Sequence, residues 1–207
     1  MDKTIPHDTI RRLALYLRSL RYLAKRDIEV ISSKRMTEHI NTSPAQVRKD
    51  LSYFGEFGVP GVGYHVKKLI AEIESILGLK KKQEVALVGI GKLGSTLLAY
   101  PGFKKFGFRI SALFDNNPEK IGKKISGLKI EDIARIEELL RGRKIKIAII
   151  TVPAANAQEV ADRLVTAGIK VILNFAPCYL NIPQGVIINT IDMAIELEYL
   201  AYYLTHK

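Results

Sequence analysis

One stretch decides the fold: residues 84–94 read EVALVGIGKLG. Its apolar first half predicts a buried strand, and the helical pattern of residues 95–99 follows directly. The spacing G-x-G-x-x-G at a strand-to-helix turn is the dinucleotide-binding fingerprint. We expect Gly89 to make the tight turn, Gly91 to let a pyrophosphate approach, and Gly94 to let the helix pack on the strand.

A second strand, residues 109–114, ends at Asp115. A carboxylate there accepts hydrogen bonds from ribose hydroxyls and repels a 2′-phosphate, which favours NAD over NADP. Asp115 lies 26 residues after Gly89, slightly more than the usual spacing of about 20. We interpret residues 100–107 as an inserted loop that absorbs the difference. The alternative role for Asp115 is that of a helix cap or turn residue.

Further strands are predicted at 145–152, 171–175 and 186–189, with helices between them, which indicates an α/β fold with a parallel sheet. Open sheets of this kind bind ligands at the carboxyl ends of the strands. We therefore expect the loops after two of these strands to border the nicotinamide, and we interpret the nearby Cys178 as a buried, inert thiol. The expected cofactor contacts are Gly89, Ile90, Gly91, Lys92, Leu93, Gly94, Asp115, Asn116, Thr151, Val152, Pro153, Asn174, Phe175 and Ala176.

The pattern is different before the boundary at residues 80–82, where helices dominate. An apolar stripe formed by Ile10, Leu13, Leu17, Leu20 and Ala24 predicts a helix after Pro6, and a shorter helix covers about 33–40. A third helix then begins with Ser43 as N-cap, Pro44 at its first position and Gln46 completing a capping box. Three short helices with a tight turn between the last two are typical of a helix-turn-helix.

The third helix has a core face (Val47, Leu51 and Phe54) and an opposite face that suits the DNA major groove. The ten residues 55–64 contain four glycines and a proline, which predicts the wing of a winged helix, with Tyr64 and His65 near the minor groove or phosphates. The alternatives are a solvated polar face and a plain linker. The expected DNA contacts are Ser43, Ala45, Gln46, Arg48, Lys49, Ser52, Tyr53, Gly61, Gly63 and Tyr64.

The formal net charge is +11, and residues 1–82 hold 16 Lys and Arg against 9 Asp and Glu, a net +7. This excess favours a polyanionic partner, with an ordinary basic surface as the alternative. No apolar run reaches a membrane-spanning length, the first eight residues resemble no signal peptide, and there is one cysteine. We therefore expect a cytoplasmic protein without a membrane or metal partner.

A sensor fits the sequence better than an enzyme. The four histidines are His7, His39, His65 and His206, so residues 83–190 contain none to act as a catalytic acid or base. A small NAD-dependent oxidoreductase and a CoA-binding module remain alternatives. The last segment, 191–204, predicts a helix that is apolar almost all round, which we expect to lie between domains or subunits. The alternative is a terminal helix packed on its own domain.

The chain resembles the Rex family of redox-sensing transcriptional repressors. The resemblance lies in residues 46–55 (QVRKDLSYFG), the wing end 61–64 (GVGY), and 91–94 (GKLG) followed by 100–103 (YPGF). It implies a homodimer that binds a palindromic DNA operator, is released by NADH, and binds DNA in the presence of NAD. It also implies three parts: a winged helix (1–82), a Rossmann domain (83–190) and a C-terminal helix (191–207) swapped between subunits.

The resemblance also implies roles for single residues. Arg48 and Lys49 would meet the major groove, Tyr64 would lie at the wing, and Gly89, Gly91, Gly94 and Asp115 would hold NADH. Family members often carry an aromatic residue after the aspartate that opens the C-terminal helix, whereas this chain has Met193 after Asp192. We expect Asp192 to exchange partners, such as Arg18 of the partner subunit or Tyr100, as the dimer closes.

Overall fold

The computed structural model describes residues 5–205, apart from the side chain of His39. His206 therefore lies outside the described residues. The described chain divides into two compact units between Lys81 and Lys82. Among the described helices, none combines the length and the apolar character needed to cross a bilayer.

The first unit is a small helical domain with a three-stranded antiparallel sheet in the order β1-β3-β2. Its core is the apolar stripe of the first helix packed against buried side chains of the three later helices and of the sheet. Leu13, Leu17 and Leu20 are buried as expected, but Ile10 is 43% exposed, and the neighbouring Thr9 is buried in its place. The elements are α1 (His7–Ala24), β1 (Val30–Ile31), α2 (Ser33–Met36), a 3-10 turn (Thr37–His39), α3 (Pro44–Ser52), β2 (Gly58–Val59), β3 (Gly63–His65) and α4 (Val66–Ile76).

Helix α3 begins where the sequence predicts. The Ser43 hydroxyl accepts a hydrogen bond from the Gln46 backbone N–H at 3.1 Å, and Pro44 takes the first helical position. The prediction of a full capping box is wrong, because the Gln46 side chain donates to Asp50 instead of bonding back to the cap. The Gln46 amide bonds the buried carboxylate of Asp50, one turn further along the helix, so it does not take part in capping.

The second unit is a seven-stranded sheet with helices on both faces, in the order β10-β9-β8-β4-β5-β7-β6. All neighbours are parallel except β6, which forms a hairpin with β7. Counted along the chain, the parallel strands follow the Rossmann order 3-2-1-4-5-6, whose direction reverses between β4 and β8. The elements are β4 (Gln83–Val88), α5 (Lys92–Ala99), α6 (Pro101–Lys105), β5 (Phe108–Asp115), β6 (Lys124–Ile125), β7 (Leu128–Asp132), a 3-10 turn (Ile133–Arg135), α7 (Ile136–Leu140), β8 (Ile147–Ile150), α8 (Ala154–Thr166), β9 (Val171–Asn174), β10 (Ile187–Thr190) and α9 (Met193–Thr205).

The structure corrects two predictions in this unit and adds one element that the sequence analysis lacked. Residues 100–107 are not a plain loop, since they contain α6, which turns Phe103 onto the sheet. The hairpin of β6 and β7 was not predicted at all. Strand β8 covers only Ile147–Ile150 of the expected 145–152.

Helix α9 has no buried residue, although it is the most apolar helix of the chain. Its large apolar side chains are between 52% and 83% exposed, with Leu200 at 56%. The alternative of a terminal helix covered by its own domain does not describe this arrangement. Such a surface is normally buried against another chain or domain.

Candidate functional site

The outward face of α3 is exposed and basic. Ala45, Arg48, Lys49 and Ser52 are exposed, and Tyr53 is partly buried. The Arg48 guanidinium donates to the Ser33 hydroxyl at 2.9 Å, so its position is fixed from the neighbouring helix α2. Arg48 and Ser52 of this helix, together with the hairpin of β2 and β3, border a groove of about 600 Å³.

The hairpin has the form of a wing, with an apolar, exposed tip. Val59 and Val62 are 48% and 53% exposed on either side of Gly61, which has a φ of +75° and open space where a side chain would be. A Cβ at Gly63 would overlap with the backbone of β1, so this glycine is needed for sheet pairing. A DNA backbone can approach such a tip closely.

Tyr64 lies in the core rather than at the wing surface. It is 8% exposed, and its ring packs over Gly58 of the opposite strand. Burial raises the pKa of its hydroxyl, against the opposing charge of Arg48. Strand alternation turns Tyr64 inward and leaves its neighbour His65 exposed, so Tyr64 is mostly covered and its contact with DNA stays a prediction.

A buried carboxylate joins α1 to α3, and sequence reasoning missed it. Asp50 is fully buried and accepts hydrogen bonds from Thr9 (3.0 Å), Tyr16 (2.7 Å), Gln46 (2.8 Å) and two nitrogens of Arg12 (2.6 and 2.8 Å). Burial acts to raise the pKa of Asp50, but the bonds from Arg12, Tyr16, Gln46 and Thr9 outweigh it and hold the pKa at about 2. The same environment raises the pKa of Tyr16 to about 12, through burial and its bond to Asp50.

The glycine-rich turn of the second unit forms an open cradle at the start of α5. Gly89 has a φ of +92°, and a Cβ at Gly94 would overlap with the carbonyl oxygen of Gly89, so both positions require glycine. A Cβ at Gly91 would meet nothing within 4 Å. No side chain caps the first N–H groups of α5. This space and these donors fit a pyrophosphate.

Asp115 lies at the end of β5 and ties that strand to the glycine-rich turn. Its carboxylate accepts from the backbone N–H groups of Ile90 (2.7 Å) and Asn117 (2.9 Å) and from the Lys120 ammonium (3.1 Å). Burial acts to raise the pKa of Asp115, but these bonds hold the pKa below its ordinary value. The carboxylate is thus a turn anchor, which is the alternative role named for it above, and its contact with a ribose stays a prediction. Its Oδ1 atom retains capacity for another donor.

The loop after β8 is joined to the glycine-rich turn by Thr151. Thr151 donates to the carbonyl oxygens of Val88 and Gly89, at 3.0 and 2.7 Å, and so braces the turn. Pro153 is exposed, as are Lys92 and Asn116, while Val152, Leu93 and Phe175 are partly buried.

Asn174 and Ala176, by contrast, are 0% and 1% exposed, and the buried Asn174 amide is satisfied by hydrogen bonds to both the N–H and the C=O of Ala176. Their side chains are buried, like that of Ile90, and their contact with a cofactor stays a prediction.

The four residues expected to take part in the switch differ in exposure and in local contacts. Arg18 is exposed on α1. Tyr100 is 50% exposed and stacks edge-on against Phe103. Asp192 caps α9 by accepting from the Ala194 N–H at 2.9 Å, and Met193 is 63% exposed.

Two further predictions concern cysteine and metals. Cys178 is partly buried rather than buried, with its Sγ 3.8 Å from the Ala154 carbonyl oxygen. Within residues 5–205, no group of His, Cys, Asp and Glu has the arrangement of a metal site.

Fold and sites together define a class, the winged-helix DNA-binding proteins that carry a Rossmann domain. A CoA binding domain model matches residues 80–178, and the model of a putative DNA-binding protein N-terminus matches residues 4–52. The redox-sensing transcriptional repressor Rex of Roseiflexus sp. (strain RS-1) is 50% identical over 199 residues, covering 96% of this chain and 90% of the relative. That of Chloroflexus aurantiacus (strain J-10-fl) is 50% identical over 202 residues, covering 98% and 95%. The chain belongs to the Rex family of redox-sensing transcriptional repressors.

Solved structures match over the same extent. A Rex-family repressor, RSP, in complex with β-NAD⁺ and operator DNA has a TM-score of 0.92 and 39% identity, and the match covers 98% of this chain and 93% of that one. RSP in complex with β-NADH has a TM-score of 0.87 and 38% identity, with coverage of 98% and 95%.

Proposed function

We propose that this chain represses transcription by binding a palindromic DNA operator as a homodimer, and that NADH releases it. One observation carries the proposal: a single chain holds both an exposed basic recognition helix with a wing and an open glycine cradle at the head of a Rossmann helix. Its relatives are redox-sensing repressors, and RSP, a related repressor, binds NAD⁺ together with operator DNA.

On the DNA side, α3 enters the major groove. Arg48 reads base edges, most favourably guanine O6 and N7, and Lys49 and Ser52 contact phosphates or bases. The wing tip around Gly61 approaches the adjacent minor groove through its backbone. Tyr64 acts from the core, by supporting the hairpin.

On the cofactor side, the cradle of Gly89, Gly91 and Gly94 with the first N–H groups of α5 holds the pyrophosphate. Asp115 holds the ribose through Oδ1, and the surface of Thr151, Val152, Pro153 and Phe175 borders the nicotinamide. The bound group supplies a ring that is neutral in NADH and positively charged in NAD⁺. An apolar surface favours the neutral form because burying an unpaired charge is costly.

The homodimer explains the exposed face of α9. We propose that α9 packs against a second copy, as a swapped element, and that Asp192, Met193, Arg18 and Tyr100 take part in the change between DNA-binding and released dimers. Two recognition helices must lie about one helical turn of DNA apart to bind a palindrome. A coupling of about 1–3 kcal/mol between NADH and this spacing changes operator affinity roughly 5- to 150-fold.

The experiment is an operator titration. A duplex selected from a random library is bound by the full chain and followed by fluorescence anisotropy, with NADH, NAD⁺ or neither. NADH is expected to lower affinity and NAD⁺ to preserve it. Lys49→Ala is expected to lower affinity and reduce the salt dependence by about one counterion, whereas Lys67→Ala, an exposed lysine of α4, serves as control. Equal DNA binding in both coenzymes overturns the proposal.

A second candidate is CoA recognition, which the CoA binding domain match over residues 80–178 favours. Direct titration of the chain with NADH, NAD⁺ and CoA separates the two, since only a dinucleotide sensor distinguishes the two nicotinamide forms. We also propose that the chain has no catalytic role. Steady oxidation of NADH by the chain with any small carbonyl substrate would contradict this.

A further inference from the structure

The side chain of Gln46 lies at the place where a recognition helix reads bases. It is the third residue of α3, partly buried, between the exposed Ala45 and the fully buried Val47. In helix-turn-helix proteins the first residues of the recognition helix contact base edges. A glutamine there has an amide that can face the groove in two ways, with the carbonyl oxygen outward or with the NH₂ group outward.

Asp50 removes this choice. The Gln46 Nε2 atom donates to Asp50 Oδ1 at 2.8 Å, and Asp50 is an ionised, fully buried carboxylate that can only accept. Turning the amide over would place the Gln46 carbonyl oxygen against that carboxylate and would lose a charge-assisted hydrogen bond. The carbonyl oxygen Oε1 and the second N–H of Gln46 therefore point away from the anchor.

The anchor itself is rigid. Besides Gln46, Asp50 is held by Thr9, Tyr16 and two nitrogens of Arg12, all of them on α1. Since Asp50 lies one turn after Gln46 on the same helix, the amide is fixed relative to both helices before any DNA arrives. Preorganisation of this kind converts a flexible side chain into a reader of one hydrogen-bond pattern.

We propose that Asp50 is a positioning residue that fixes the Gln46 amide with its carbonyl oxygen toward the DNA, so that each half-site is read for an exocyclic amino group, above all that of adenine. Adenine presents the N6 amino donor and the N7 acceptor, which match the outward Oε1 and N–H of Gln46, and cytosine presents the N4 donor alone. Guanine and thymine present acceptors at the corresponding edge and are disfavoured. This inference rests on the proposed DNA-binding function.

The test compares base preferences rather than affinities alone. Full-length wild-type protein and variants are each incubated with a random duplex library, and bound sequences are counted at every position. The wild type is expected to prefer adenine at one position of each half-site. Gln46→Met is expected to lose that preference, with about a 5- to 10-fold drop in affinity for the adenine duplex and little change for its guanine counterpart.

Asp50→Asn tests the positioning role. An asparagine amide can donate to Gln46 Oε1, which turns the NH₂ group of Gln46 outward and relaxes or inverts the preference toward guanine or thymine at that same position. The matched control is Thr9→Val, which removes another hydrogen bond to the same oxygen of Asp50 but leaves the Gln46 bond. It is expected to reduce thermal stability while keeping the adenine preference.

The outcomes separate three cases. If the wild-type protein selects no sequence at all, the proposed DNA-binding function fails. If it selects a palindrome and Gln46→Met weakens every sequence equally or none, the reading role of Gln46 is overturned. If Gln46→Met acts at one position but Asp50→Asn, folded by circular dichroism, keeps the wild-type preference, the positioning role is overturned. Should Asp50→Asn fail to fold, the position-specific effect of Gln46→Met and the unchanged preference of Thr9→Val decide the proposal.

Discussion

The carboxylate of Asp115 accepts a 2.7 Å hydrogen bond from the backbone N–H of Ile90, which joins the end of β5 to the glycine-rich turn after β4. The residue that we propose for the ribose thus also holds the turn that we propose for the pyrophosphate, so both proposed halves of the cofactor site depend on this one ionised group.

Asp115→Asn is expected to weaken NADH binding at least about 10-fold, because an asparagine offers one acceptor oxygen and turns its NH₂ group toward existing donors. NADH fluorescence titration measures the change. Asp132→Asn is the matched control, since Asp132 is the register partner of Asp115 on β7 and caps a 3-10 turn instead. Similar losses in the two variants would show that Asp115 acts only through general stability.

Two glycine substitutions are expected to separate binding from folding. Gly91→Ala places its Cβ in open space, so unfolding in urea should be nearly unchanged while NADH binding falls, because the methyl group occupies the cradle. Gly94→Ala overlaps with the Gly89 carbonyl oxygen and should lower the free energy of unfolding by about 2 kcal/mol or more. If Gly91→Ala binds NADH as the wild type does, the pyrophosphate does not lie at this turn.

The glycine fingerprint could be predicted from sequence because its spacing is a local requirement of backbone geometry. The recognition helix was predictable for the same kind of reason, since Ser43 and Pro44 mark its start. The Asp50 network was not found, although a signal exists: Thr9, Arg12 and Tyr16 follow helical spacing beside the apolar stripe of α1. Pairing them with an acid 34 to 41 residues away requires knowledge of how the helices pack.

Other misses have separate physical causes. The hairpin of β6 and β7 had a usable sequence signal, the dipeptide Ser126-Gly127, which is typical of turns. In the structure both residues take positive φ in a two-residue turn. Helix α6 was hidden by its Pro101-Gly102 start, which is typical of turns, and is stabilised by the packing of Phe103 on the sheet. The sequence of the ten-residue wing does not show which side chains of its strands point inward, so Tyr64 was assigned to the surface.

The stability of the first unit is expected to depend on pH through Asp50. Its pKa falls from 3.8 to about 2 on folding, so the unfolded chain takes up the proton first as the pH falls. Above about pH 4 the ionised Asp50 contributes about 2 kcal/mol to the free energy of unfolding. This contribution is lost as the pH falls from about 4 to about 2. Urea titrations at several pH values measure this slope. Asp50→Asn should be less stable at pH 7 and should show a flatter profile in that window, and an unchanged profile would assign the acid sensitivity to other carboxyl groups.

The exposed face of α9 is expected to hold the dimer together. Leu200→Glu places a charge in the middle of an apolar surface whose large side chains are between 52% and 83% exposed. If that surface packs against a second copy, the carboxylate must be buried without a partner, and the dimer should dissociate at least 10-fold more readily by analytical ultracentrifugation. Operator affinity should fall in parallel, because a monomer reaches one half-site. Glu198→Gln, on the same helix, removes a charge but keeps every apolar side chain of the helix, and should leave both measurements near wild type. A Leu200→Glu protein that remains dimeric and keeps its operator affinity would mean that α9 is covered by something other than its own counterpart.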